Sequence, residues 1–163
     1  MTVNARGVVF AAPGEVAIES FEVPDPGPQQ VLVRTTRTLV SAGTEVKALL
    51  NLRESAGGVV PPPRYPVRPG YSSVGVVQAV GAGVESVRPS DRVLTMGRHA
   101  SHTLVDLRPR SNAIAGQEAP GYLQKLPDGV TDDQAVFAIL GSVALHGMRT
   151  VSFQLGESCV VLG

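Results

Sequence analysis

Hydrophobic and polar positions alternate through much of the chain, with a period that suits strands more often than helices. Gly7–Ala12 and Glu15–Val23 predict two short strands joined at Pro13-Gly14. In the second, Val16, Ile18 and Phe21 fall on or near one face, as in a half-buried strand. Pro24–Pro28 breaks the pattern. Gln30–Leu39 resumes it, rich in β-branched residues. A short helix is predicted over Thr44–Asn51, with Thr44 as its cap and Glu45 in its first turn, where the helix dipole favours an anion. From 53 to 69 the density of proline and glycine predicts loop.

The stretch Pro69–Leu94 then carries an apolar run through Val74, Gly75, Val76 and Val77. It is broken by Gly81 and Gly83, and a second strand opens at Asp91. A glycine inside a strand, as at Gly75, marks a bulge or a close backbone approach. The expected shape is a sharply bent hairpin at a barrel corner. Strands are also predicted over Val93–Met96, Thr103–Leu107 and Leu123–Leu126, with 108–121 as loop. Thr131-Asp-Asp-Gln134 has the form of a capping box and predicts a helix start. Gly141 is expected to interrupt that helix, with a second helical stretch over Ser142–Val151. An apolar run over Ser158–Leu162 reads as a last strand. Periodicity alone thus gives a mainly β chain, barrel or sandwich.

Composition narrows the function classes. The 163 residues suffice for one ordinary domain with a core. Fourteen basic and 14 acidic residues balance, and Lys47 and Lys125 are the only lysines, so nothing favours nucleic acid or an anionic membrane. One cysteine, Cys159, allows no internal disulfide and no multi-cysteine zinc cluster; its strand setting predicts an inert thiol. No run reaches the roughly 18 apolar residues of a membrane span. The N-terminus lacks the apolar core of a signal peptide. The expected setting is the cytoplasm.

The order of Val40-Ser-Ala-Gly-Thr-Glu45, Pro69-Gly-Tyr-Ser-Ser-Val-Gly-Val-Val77, Asp91-Arg-Val93, Leu126-Pro-Asp-Gly-Val130 and Leu155–Gly163 resembles the GroES-like catalytic domain of medium-chain alcohol dehydrogenases and reductases. Ser90 stands where that family usually has glycine. The resemblance implies a GroES-like, partly open β-barrel over 1–125. Hinge helices and the first strand of a nucleotide-binding Rossmann domain would follow over 126–163. The chain would then be the catalytic half of a longer enzyme, truncated at the first glycine of GxGxxG, Gly163. The alternative is a stand-alone domain whose last strand closes its own sheet. In the family, loops like 53–69 line the mouth of the substrate cleft; a plain surface connection is the other reading.

The resemblance also speaks to metal. Zinc-dependent relatives place a cysteine where this chain has Ala42, and a histidine and a glutamate where it has Tyr71 and Ser72. A catalytic zinc needs about three Cys, His or carboxylate ligands, so the sequence resembles zinc-independent members and no metal is expected. Nicotinamide, NAD(P)H, is the implied cofactor, bound mainly by the Rossmann half, with Thr44 and Gly163 as cofactor-contacting positions here.

Three residues are candidates for the chemistry. Thr44 matches a hydroxyl near nicotinamide and substrate oxygen, with helix capping as its other role. Tyr71 could donate a phenolic hydrogen bond, or simply pack where metal would be. His99 could shuttle a proton, or be satisfied by backbone. Glu45 is expected to pair with an arginine, His102 to face solvent, and His146 to make a packing contact. Arg149 is expected at a solvated helix end, with a contact to an anionic cofactor as its other reading. The expected function is zinc-independent hydride transfer on a small polar alcohol, a ketone or an activated double bond. A non-redox cyclase or isomerase and a structural, interaction-module role are the alternatives. The resemblance implies a homodimer for the full-length protein and a monomer for this fragment. The fragment alone is expected to be inactive, with Val136 and Ile139 exposed.

Overall fold

The fold is described from a computed structural model, over residues 2–52, 64–112, 117–119, 121–151, 156–158 and 160. Cys159, Gly163, most of the run predicted over 158–162 and the 53–63 part of the first long loop lie outside these residues.

The architecture is mainly β. β1 (Thr2–Ala12) and β2 (Glu15–Pro24) form an antiparallel ribbon. β3 (Gln30–Thr38), β4 (Ser73–Val80), β5 (Arg92–Thr95), β6 (His102–Asp106) and β9 (Leu123–Lys125) form an antiparallel sheet in the order β6-β3-β4-β5-β9. Its central strand pair carries two bulges, one between Leu32 and Val33 and one at Thr36. Bulges bend a strand and raise its twist, and here they curl the sheet into the partly open barrel. One core cluster, Val31, Val33, Val77, Val87, Val93 and Val105, fills its inside.

Gly75 sits where the sheet bends. A Cβ there would lie 2.4 Å from the Arg34 carbonyl oxygen and 2.6 Å from Val33 Cγ1, so the close backbone approach expected of a strand glycine is present. Ser90, in the turn after this strand, adopts φ of 76°. It thus takes a left-handed conformation that glycine holds at lower cost.

The ribbon joins the sheet through the 99–101 segment. Val8 N–H donates to the His99 carbonyl (2.8 Å), Ser101 N–H to Arg6 (2.8 Å), and Thr35 N–H to Ser101 (2.9 Å). Further along the same edge of β1, Phe10 and Val67 exchange backbone hydrogen bonds.

Several expectations are corrected. The first helix, α1, spans Ala42–Leu49 with Ser41 at its N-cap, so Thr44 lies inside the first turn rather than capping it. Val16 and Ile18 are exposed; the ribbon buries apolar surface instead through Ala5, Val23 and partly Phe21. The predicted loop 108–121 contains two short paired strands, β7 (Arg110–Asn112) and β8 (Gln117–Ala119). The break in the C-terminal helical region falls at Val136–Phe137, between α2 (Asp132–Ala135) and α3 (Ala138–Thr150). α3 runs through Gly141, because glycine costs a helix interior only about 1 kcal/mol relative to alanine. The Ser72 hydroxyl donates to the Val136 carbonyl at the break (2.6 Å). Val136 and Ile139 are buried against Val74 and Leu94, so the exposed apolar side chains are Phe137, Val143, Leu145, Met148 and Val151. His146 is exposed as well, not packed.

α2 docks through charge. Thr131 and Gln134 form the predicted capping box, each side chain meeting the other's backbone N–H (3.2 and 3.0 Å). Asp132 then accepts from Thr36 Oγ1 on β3 (2.6 Å) and from Arg92 Nε on β5 (2.9 Å). Arg92 also donates to the Val130 carbonyl (2.7 Å). Partial burial works against the ionised form of Asp132. The hydrogen bonds from Thr36 and Arg92, with the charges of Arg92 and Arg37, outweigh it and hold the carboxyl below its ordinary range. A carboxyl depressed in the folded state stabilises the fold above its unfolded pKa, about 3.9, and this contribution is lost as pH falls through the folded value. Denaturant unfolding of the native chain should therefore show a loss of stability below about pH 4. Asp132→Asn should flatten that acid slope while lowering stability at neutral pH; an unchanged slope would remove Asp132 from the account.

Candidate active site

The side chains that gather at one place do so around the entry to α1. This helix is fixed at both ends. At its C-terminus, Tyr65 donates its hydroxyl to the Ala48 carbonyl (2.6 Å), and Gly14 N–H donates to Leu49 (2.8 Å). At its N-terminus, Glu45 turns inward and is 6 % exposed, a rare burial for a carboxylate.

Glu45 Oε1 accepts the Ser41 N–H (2.9 Å), one of the donors that a helix start leaves unpaired. Its Oε2 lies 2.7 Å from His99 Nε2, and both side chains are more than nine-tenths buried. The predicted arginine partner is thus replaced by histidine.

His99 is held by its backbone first. Its N–H donates to the Pro69 carbonyl (2.9 Å) and its carbonyl accepts from Val8. The Pro69-Gly70 turn fits closely against it: Gly70 has φ of 106°, and a Cβ there would lie 2.5 Å from the His99 nitrogen. With the main chain so fixed, the imidazole reaches Glu45. The alternative reading of His99 as a side chain satisfied by backbone is therefore corrected: its partner is a carboxylate. His99 Nδ1 is buried and has no hydrogen-bond partner among the described residues.

His99 also lines an open cavity of about 470 Å3 with Arg6, Thr35, Thr36, Thr38 and Ser101. Thr44 and Tyr71 are not among its lining residues. Thr44, next in sequence to Glu45, is exposed on the first turn of α1. Tyr71 is half-buried and packs against the cluster of Val74, Leu94, Ala135, Val136 and Ile139. His102, expected in solvent, is half-buried; burial, and then the charge of Arg34, lower its pKa. Glu45 and Tyr65 are the residues that sequence reasoning did not assign to these roles. A glutamate four residues after Ser41 could suggest the contact at the helix start, but nothing local marks His99 as its partner.

The residues at the positions of the expected zinc ligands do not suit a zinc ion. Ala42 has no ligand atom, Tyr71 packs among apolar side chains, and the Ser72 hydroxyl is committed to Val136. Among the described residues, no group of three or more histidine, cysteine, aspartate and glutamate side chains is placed to hold a metal. Also among them, no helix is long and apolar enough to cross a membrane.

The pattern of the alcohol dehydrogenase GroES-like domain matches residues 27–124, well over half the chain. The chain belongs to that family. It is 27 % identical to Homo sapiens sorbitol dehydrogenase, over 98 % of this chain and 48 % of that protein. It is 31 % identical to a Cupriavidus necator alcohol dehydrogenase, over 96 % of this chain and 36 % of that protein. Among solved structures, Escherichia coli quinone oxidoreductase complexed with NADPH superposes with a TM-score of 0.64. That match has 18 % identity and covers 91 % of this chain and 41 % of the other, a likeness of fold. The chain spans about half or less of the length of these relatives.

Proposed function

We propose that the chain is the substrate-binding part of an NAD(P)-dependent oxidoreductase. The reaction is hydride transfer on a small polar alcohol, a ketone or an activated double bond, and it proceeds without zinc. The observation that carries this reading is the family match over residues 27–124, supported by relatives named as alcohol and sorbitol dehydrogenases. Zinc independence is supported by what stands at the ligand positions, above all the Ser72 hydroxyl bonded to Val136. In this reading residues 1–125 are the GroES-like domain, and 126–163 lead into a nucleotide-binding domain that holds the cofactor, with Gly163 at its first phosphate-binding turn. The full-length protein is a cytoplasmic homodimer.

The nicotinamide, when bound, supplies or accepts the hydride. This chain's own residues orient the substrate and manage its proton. Thr44 presents an exposed hydroxyl on the first turn of α1, suited to a hydrogen bond with cofactor or substrate oxygen. The buried pair of His99 and Glu45 lies directly behind that turn. Tyr71 contributes a half-buried ring at the wall.

The test is a fluorescence titration with NADH and NADPH, on this chain and on a version extended through the following domain. Binding by the extended protein alone is expected, with equal binding before and after chelator treatment. An extended protein that binds neither nucleotide would overturn the redox reading, and chelator-sensitive binding would overturn the zinc-free one.

A further inference from the structure

The Glu45–His99 contact has a direction. Backbone N–H groups only donate, so Glu45 Oε1 is an acceptor toward Ser41. With the carboxylate ionised it has no proton to offer, and the hydrogen between Oε2 and His99 then belongs to the ring Nε2. A neutral imidazole carries one ring proton, which leaves Nδ1 as a bare lone pair. That atom is buried without a partner among the described residues. An acceptor left so is destabilising. The ring could relieve this by turning Nδ1 toward a donor, but Glu45 on one side and the fixed main chain of His99 on the other hold it in place.

Resting on the oxidoreductase reading above, we propose that Glu45 is the positioning residue of this site. It fixes His99 as the Nε2–H tautomer, so that Nδ1 is kept as the site's proton-accepting nitrogen. It also ties that ring to the α1 turn that carries Thr44. Each function uses one carboxylate oxygen.

Long-range 1H–15N correlation spectroscopy of the histidine rings tests this on the chain as it stands, with no cofactor or substrate. The native chain should show His99 with a protonated Nε2 and an unprotonated Nδ1 near neutral pH. A proton on Nδ1, or on both nitrogens, would overturn the proposal whatever any variant does. In Glu45→Gln the Ser41 N–H should claim the amide oxygen. The amide NH2 then faces Nε2, and the ring proton should move to Nδ1. Glu45→Asp, which keeps an ionised acceptor, should retain the native tautomer. A role in packing alone predicts lower thermal stability with the proton unmoved, and that result in Glu45→Gln also overturns the proposal. Nicotinamide titration bears on the oxidoreductase reading and not on the tautomer, so the two can fail separately.

Discussion

His99→Leu is expected to lower the unfolding free energy by about 1.5–3 kcal/mol, because it removes a hydrogen bond to the buried Glu45 carboxylate. Glu45 remains covered by the same neighbours but keeps only the Ser41 N–H. Relief should come from removing the charge, not from restoring the ring. The double variant His99→Leu/Glu45→Leu should recover all but about 1 kcal/mol, the residue being the Ser41 N–H that then lacks its acceptor. Urea unfolding of the four members of this cycle gives the coupling energy directly. If His99→Leu alone costs under about 1 kcal/mol, within the range of exposed ion pairs, the pair is hydrated and its burial is not what holds it.

Gly75→Ala should be the second large effect, a loss of about 3 kcal/mol, at the upper end of what one added methyl costs in a packed interior. The new Cβ would fall 2.4 Å from the Arg34 carbonyl, part of the neighbouring strand's backbone, so no side-chain rotation can relieve it. The β3–β4 pairing, which forms the middle of the sheet, must open instead. Gly43→Ala is the matched control. Its Cβ would meet nothing within 4 Å, and it lies in α1, so it should stabilise by about 0.5–1 kcal/mol. Thermal unfolding of both variants distinguishes a local steric clash from a general effect of adding alanine.

The sequence carried the strands well because their signal is local. Alternation and β-branching place β2, β3, β4 and β6 within a residue or so, whereas β1 begins five residues before the expected Gly7. Gly75 announced its close approach, and the Thr131–Gln134 box was complete in four residues. What failed depended on partners far along the chain. The short strands β7 and β8 hold Arg-Ser-Asn and Gln-Glu-Ala, with no strand-forming side chain to mark them. Gly141 does not break α3, because helix continuity there needs only about 1 kcal/mol from its neighbours. The helix boundary at Ser41 was misplaced because Thr44 is itself a good cap residue in isolation. In the site, Glu45 was visible as a first-turn acid, but its pairing with His99 spans 54 positions. Burial alone decided that contact. The zinc-site departures at Ala42, Tyr71 and Ser72 were legible as identities, whereas the use of Ser72 to hold Val136 was not.

The Asp132 clasp has a consequence for the order in which the chain assembles. Its carboxylate joins Thr36, 96 positions earlier, and Arg92, 40 positions earlier. Contacts of such separation reward the chain only after the loops between them have closed. β3 and β5 must already stand in register with β4 before the two oxygens meet both partners. The clasp is therefore expected to act as a latch, formed late in folding and broken early in unfolding, so that Asp132→Asn should speed unfolding more than it slows folding.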